Sequence, residues 1–158
     1  MNNVSIFPIM NLPEFDTGHE IVEELIKSLE ENNISLEDSD IIVITQKIIS
    51  KVEGRKIDIN KEDIEEVIKS ESLQIIRKRG ETVIAKTKHG FICANAGIDK
   101  SNIEEGSALL LPEDPDKTSR DIRKKIEHKT GKKISVIICD TFGRAWRKGQ
   151  TNVAIGSS

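Results

Sequence analysis

The sequence predicts an α+β fold in which mixed sheets are flanked by helices. Three observations carry that expectation. Short runs rich in β-branched residues, at 41–44, 82–87 and 134–138, have the length of strands. Between them lie stretches whose apolar residues recur at helical spacing. Two β-rich runs across Lys88-His89-Gly90 read as a hairpin, which adds antiparallel pairing. At 158 residues the chain can bury a sizeable core and is read as one domain, residues 1–158.

Residues 4–9 alternate loosely and suggest a first strand running into the rigid turn Asn11-Leu12-Pro13. Thr17 with Glu20 fits a capping box, and Ile21, Val22, Leu25, Ile26 and Leu29 form the apolar face of a helix that Asn32 and Asn33 end. A buried strand is expected at 41–44. Residues 45–55 then read as a helix with Lys47 and Lys51 on one face and Ile48, Ile49 and Val52 on the packed side. A further amphipathic helix is expected at 61–69, with 72–78 continuing or restarting it, before Gly80 and the hairpin. Residues 95–102 are small and polar, 107–111 read as a short strand, and Asp116 is expected to cap a helix over 119–129. The strand at 134–138 leads into Cys139-Asp140-Thr141-Phe142-Gly143-Arg144-Ala145-Trp146-Arg147-Lys148-Gly149-Gln150.

Composition narrows the function classes. Charged residues make up 32% of the chain, yet the signs nearly cancel to a net charge of −3, so no nucleic-acid stripe is indicated. Aromatic residues are 3%, too few for base-stacking platforms. Cys93 and Cys139 are far apart in the chain with no zinc spacing, which suits buried thiols in a reducing cytoplasm. No apolar run approaches the ~18 residues a membrane span requires. His89 reads as a turn residue; His19 and His128 fall on expected helices without companion ligands, and none of the three is given a role.

Neither standard phosphate-binding glycine loop is present, nor a G-x-S-x-G nucleophile. What stands out is a pair of separated carboxylates, Asp99 and Asp140, each after an apolar run and each beside hydroxyl or amide oxygens. Such hard oxygen donors suit Mg²⁺ or Mn²⁺, and neighbouring cations suit a phosphorylated ligand. Blander readings stand beside these: Lys47 and Lys51 as solvated lysines, residues 97–99 as an Asx-rich turn, residues 139–150 as an ordinary strand exit.

Four strings, at 45–55, 89–102, 110–116 and 140–156, resemble in order and spacing the coenzyme F420-0:γ-glutamyl ligase family. The resemblance implies an enzyme that uses GTP and divalent cations to join L-glutamate to the terminal carboxylate of coenzyme F420-0. It implies metal binding by Asp99 and Asp140 with Thr141 at a second metal, and nucleotide contacts from Asn11, Leu12, Pro13, Gln46, Lys47, Lys51 and Asn102. Arg144, Arg147 and Lys148 are added here as anion clamps, since Arg and Lys match phosphate and carboxylate. A cytoplasmic homodimer is implied too. Asn11 stands where the family usually has Gly, and Asn tolerates positive φ. The family pattern continues into a C-terminal portion beyond Gly156, so the chain is expected to be its N-terminal part, with exposed apolar surface and an incomplete second metal site. A non-catalytic nucleotide- or metal-binding module, or an inactive fragment, is the alternative.

Overall fold

The computed structural model describes residues 4–101, 104–144 and 146–158. In chain order they form α1 (Ile21–Glu31), β1 (Ile41–Thr45), α2 (Gln46–Val52), β2 (Lys56–Asp58), α3 (Ile64–Ser70), β3 (Ser72–Arg79), β4 (Thr82–Thr87) and β5 (Ile92–Ala94). A 3₁₀ turn (Asn95–Gly97), β6 (Ser107–Leu109), α4 (Pro115–Thr130), β7 (Ser135–Gly143) and β8 (Gln150–Ser157) follow. The α+β expectation holds, with both parallel and antiparallel pairing.

The main sheet has the order β1-β7-β8, with β1 parallel and β8 antiparallel to β7. Its inner face carries Ile42, Ile44, Val136, Ile138 and Ile155, which pack on Val22, Leu25 and Leu29 of α1 and Ile122 and Ile126 of α4. Ile126, Val136 and Ile138 are fully buried, each contributing about 1.5–3 kcal/mol of hydrophobic stabilisation. Gly156 lets β8 meet the start of α4, where an added Cβ would run into the Pro115 carbonyl group. A second sheet, β3-β4-β5, is antiparallel throughout, and its Val83 and Ala85 pack with Ile68 of α3 and Ala96. The pair β2-β6 lies antiparallel. The half-buried Arg55 donates to Leu111 O at 3.0 Å and pairs with Glu71 at 2.6 Å, tying α2's exit to the head of β3.

Several expectations are corrected. Residues 4–9 form no strand: they pair with no other described strand, and Val4 and Ile6 are each 90% exposed. An alternating pattern makes a strand only where another backbone completes its hydrogen bonds. Glu20, not Thr17, is the N-cap of α1 and makes no side-chain cap bond; Thr17 Oγ1 instead donates to Lys51 O at 3.3 Å. His19 therefore precedes the helix, while His128 lies on α4 as expected. Strand β1 is half-buried, with Ile41 and Val43 exposed on the outer face of the main sheet. Residues 72–79 are β3, because pairing with β4 outweighs any helical spacing there. Asp114, not Asp116, caps α4 through Lys117 N–H at 2.8 Å, and Pro115 takes the first helical position, which needs no N–H. Asp116 instead accepts from Ser157 N–H at 2.9 Å. Cys93 and Cys139 are half-buried rather than buried.

Asn32 and the left-handed Asn33 do end α1, and the hairpin of β4 and β5 forms. Among the described residues no helix is long and apolar enough to cross a membrane.

Candidate active site

Strand β1 runs parallel to β7 and ends at Thr45 opposite Cys139, while β7 continues to Gly143 along β8. The polar groups come immediately afterwards: Gln46 and Lys47 open α2, and Asp140 continues β7. The carboxyl ends of parallel strands are where open α/β sheets place ligands.

Asp99 reaches this place from the other sheet. Asn95, Ala96 and Gly97 take φ of 49°, 54° and 77°, a left-handed run that turns the chain back from β5. Asp99 N–H then donates to Leu109 O at 2.9 Å, and Leu109 N–H to Asp99 O at 2.8 Å, pinning the backbone on β6. Asp99 Oδ1 accepts from Ser101 N–H and Ser101 Oγ, both at 2.7 Å. Lys47 Nζ lies 2.9 Å from Asp99 Oδ2 and also donates to Ser101 Oγ at 2.8 Å and Ser101 O at 3.0 Å.

The two carboxylates are held differently. Burial pushes the Asp99 carboxyl up, but the two Ser101 hydrogen bonds and the Lys47 ammonium outweigh it and leave it below the usual carboxylate range. At Asp140 burial prevails: it raises the carboxyl, Thr141 N–H opposes it, the Asp99 charge raises it further, and Lys47 and Gln46 offset part of the rise. Gln46 is fully buried; its Oε1 accepts from Ser50 Oγ at 2.7 Å, while its Nε2 is turned toward the Asp140 carboxylate, short of a well-formed hydrogen bond. A buried amide hydrogen left short of a full hydrogen bond is costly, and here it belongs to a residue beside a carboxylate raised by burial.

The hairpin of β4 and β5 walls this corner. Phe91 meets Phe142 edge-on at 5.9 Å, and Cys93 on β5 comes within electrostatic range of Asp140. Burial, then the Asp140 charge, pushes the Cys93 thiol up to about 11, so it stays a neutral wall residue.

The structure thus brings together Gln46, Lys47, Asp99 and Asp140. Lys51 forms an ion pair with Glu14, which draws the chain just after Asn11-Leu12-Pro13 onto α2. Asn11 holds φ of 61°, the left-handed turn expected of it. Thr141 does not share Asp140's pocket: adjacent strand residues face opposite ways, and Thr141 Oγ1 hydrogen-bonds Asn152 Oδ1 at 2.8 Å. Arg144, Arg147 and Lys148 lie exposed in the turn between β7 and β8, and no ion pair among the described residues involves them. Asn102 lies outside the described residues. Ser101 and Cys93 escaped the sequence reading; a serine two places after Asp99 signals a side-chain turn, but nothing local ties Cys93 to β7.

Two carboxylates within electrostatic range of each other supply hard oxygens of the kind that fit a divalent cation. Among the described residues no three His, Cys, Asp or Glu side chains cluster. Further ligands would come from elsewhere.

The sequence model of F420-0:gamma-glutamyl ligase matches residues 9–158. The chain belongs to that family. Coenzyme F420:L-glutamate ligase of Methanocaldococcus jannaschii is 42% identical over 94% of this chain and 65% of its own length. The Archaeoglobus fulgidus protein of the same name is 38% identical over 98% of the chain and 67% of its length. That of Methanothermobacter thermautotrophicus is 36% identical over 97% and 68%. This gamma-glutamyl ligase family member therefore spans about two thirds of the length of these relatives.

Proposed function

We propose that the chain takes part in GTP- and divalent-cation-dependent joining of L-glutamate to the terminal carboxylate of coenzyme F420-0. The observation that carries this reading is the meeting of Lys47, Asp99 and Asp140 where β1 ends beside β7, with the buried Gln46 next to them.

A carboxylate resists amine attack because its leaving group would be oxide. Transfer of a γ-phosphoryl group removes that obstacle: a carboxylate oxygen bonds to phosphorus as the bond to GDP breaks, giving an acyl phosphate. The glutamate nitrogen then bonds to the acyl carbon, phosphate leaves, and the amine loses a proton to solvent. Asp99 and Asp140 would hold a Mg²⁺ or Mn²⁺, which supplies neutralisation of phosphate charge. Lys47 and Lys51 draw the phosphates by charge, and the Asn11-Leu12-Pro13 turn with Gln46 lines the nucleotide. Thr141 would serve a second cation on the other strand face. Arg144, Arg147 and Lys148 would meet an acidic substrate tail. A homodimer in the cytoplasm completes the reading.

The test is incubation with coenzyme F420-0, L-glutamate, GTP and Mn²⁺, following GDP release and product mass. A glutamylated product that disappears in Asp140→Asn supports the assignment. Ligand-dependent thermal stabilisation without product would instead favour a binding module, a reading that the absence of a third clustered carboxylate among the described residues makes worth testing.

A further inference from the structure

Asp99 has little left to offer a metal. Its Oδ1 already accepts two hydrogen bonds from Ser101, and its Oδ2 faces the Lys47 ammonium at 2.9 Å. A carboxylate has about four lone-pair sites, and the two cations would repel if they shared one oxygen. The ammonium is itself held at three points, by Asp99 Oδ2, Ser101 Oγ and Ser101 O. Lys47 therefore does not dangle toward solvent awaiting a phosphate; it occupies the place of a cation.

We infer that Lys47 is a positioning residue that stands in for the divalent cation on Asp99 and is released toward the nucleotide phosphates when the cation arrives. This rests on the reading of Asp99 and Asp140 as the metal site. Two features make the exchange physically reasonable. The Lys47 side chain is 24% exposed, so its flexible stem has room to swing without disturbing the core. The Asp99 side chain is 22% exposed, so a cation from solvent can reach the carboxylate. The resting arrangement holds the Asp99 carboxylate in place through Ser101 and Lys47. It also links the two ligands: nucleotide without metal finds Lys47 engaged elsewhere, and metal without nucleotide has to displace an ammonium that gains no new partner.

The test measures Mn²⁺ binding by calorimetry and by the Mn²⁺ spin-resonance signal, without nucleotide, for wild type, Lys47→Met and Asp140→Asn. Lys47→Met is expected to bind Mn²⁺ about three- to tenfold more tightly than wild type, and GDP without metal no more weakly. Ser101→Ala, which leaves Lys47 but removes one of its acceptors, is expected to shift Mn²⁺ affinity the same way by less, and serves if Lys47→Met does not fold. Lys47→Arg, which keeps the charge, separates local occupancy from long-range repulsion: a crystal of wild type or Lys47→Arg grown with Mn²⁺ is expected to show the side chain withdrawn from Asp99. Equal Mn²⁺ affinities in wild type and Lys47→Met, with binding lost in Asp140→Asn, would overturn the exchange and leave the metal site standing. A Mn²⁺-bound crystal with the Lys47–Asp99 pair intact would do the same. No Mn²⁺ binding by any of these proteins would overturn the metal reading and the exchange together.

Discussion

Phe91 and Phe142 meet edge-on, 5.9 Å between ring centroids, and this contact ties the hairpin of β4 and β5 to β7. It is what brings Cys93 up to Asp140, since Phe91 and Cys93 project from the same side of one extended segment. Phe142→Ala is expected to destabilise the protein by about 1–3 kcal/mol, less than a fully buried phenylalanine because the ring is half-buried. Urea unfolding reads the loss. The Cys93 thiol is expected to react faster with a thiol reagent in the same variant, because relieving its burial lowers its pKa. An unchanged Cys93 rate would disconnect the stack from the site.

Asp99 and Asp140 make opposite contributions to pH-dependent stability. Burial raises Asp140 in the folded chain, so across the interval from the ordinary carboxylate value upward the folded state binds more protons than the unfolded, and stability falls as pH rises. Asp99 is lowered, and the stability it adds is present above its unfolded pKa and lost as pH falls through its folded one. Metal-free Asp140→Asn is therefore expected to melt higher than wild type near neutral pH, and Asp99→Asn lower. Both should lose at least about tenfold in Mn²⁺ affinity. A lower melting temperature in metal-free Asp140→Asn would refute the burial argument.

Gly97 carries a packing constraint as well as a conformational one. At φ of 77° a Cβ added there would sit 2.7 Å from Leu111 Cδ1, inside the core. Gly97→Ala is expected to cost about 1–3 kcal/mol and, because Asp99 is two residues on, to weaken Mn²⁺ binding beyond what the stability loss explains. Calorimetric titration well below the melting temperature separates the two effects.

Arg147 tests the anion-clamp idea at the exposed turn. Arg147→Ala should change stability by less than about 0.5 kcal/mol, since the side chain is exposed. Its affinity for coenzyme F420-0 should fall by about tenfold if a charge-assisted hydrogen bond is lost. Identical affinities would remove it from the site.

Much of the fold could be read locally. The apolar spacing of Val22, Leu25 and Leu29, the β-branched runs ending at Ile44 and Ile138, and the hairpin around Gly90 are all written within a few residues, because helix and strand periods are local properties. Asp99, Asp140, Gln46 and Lys47 were picked out by residue type and by resemblance. Local pattern failed where a partner decides: residues 4–9 alternate but meet no strand, residues 72–79 are a strand because β4 lies beside them, and Asp116 yields the cap to Asp114 because Ser157 N–H claims its carboxylate.

The sequence by itself determined the helices, most of the strands and the residues worth watching, since each depends on neighbours along the chain. Only the tertiary structure decided that Lys47 sits on Asp99, that Ser101 and Lys47 overcome burial at Asp99 while burial prevails at Asp140, and that Thr141 is turned to Asn152. Charge pairing and burial act across space between distant segments, and which side of a strand meets which neighbour is set by how the sheets pack.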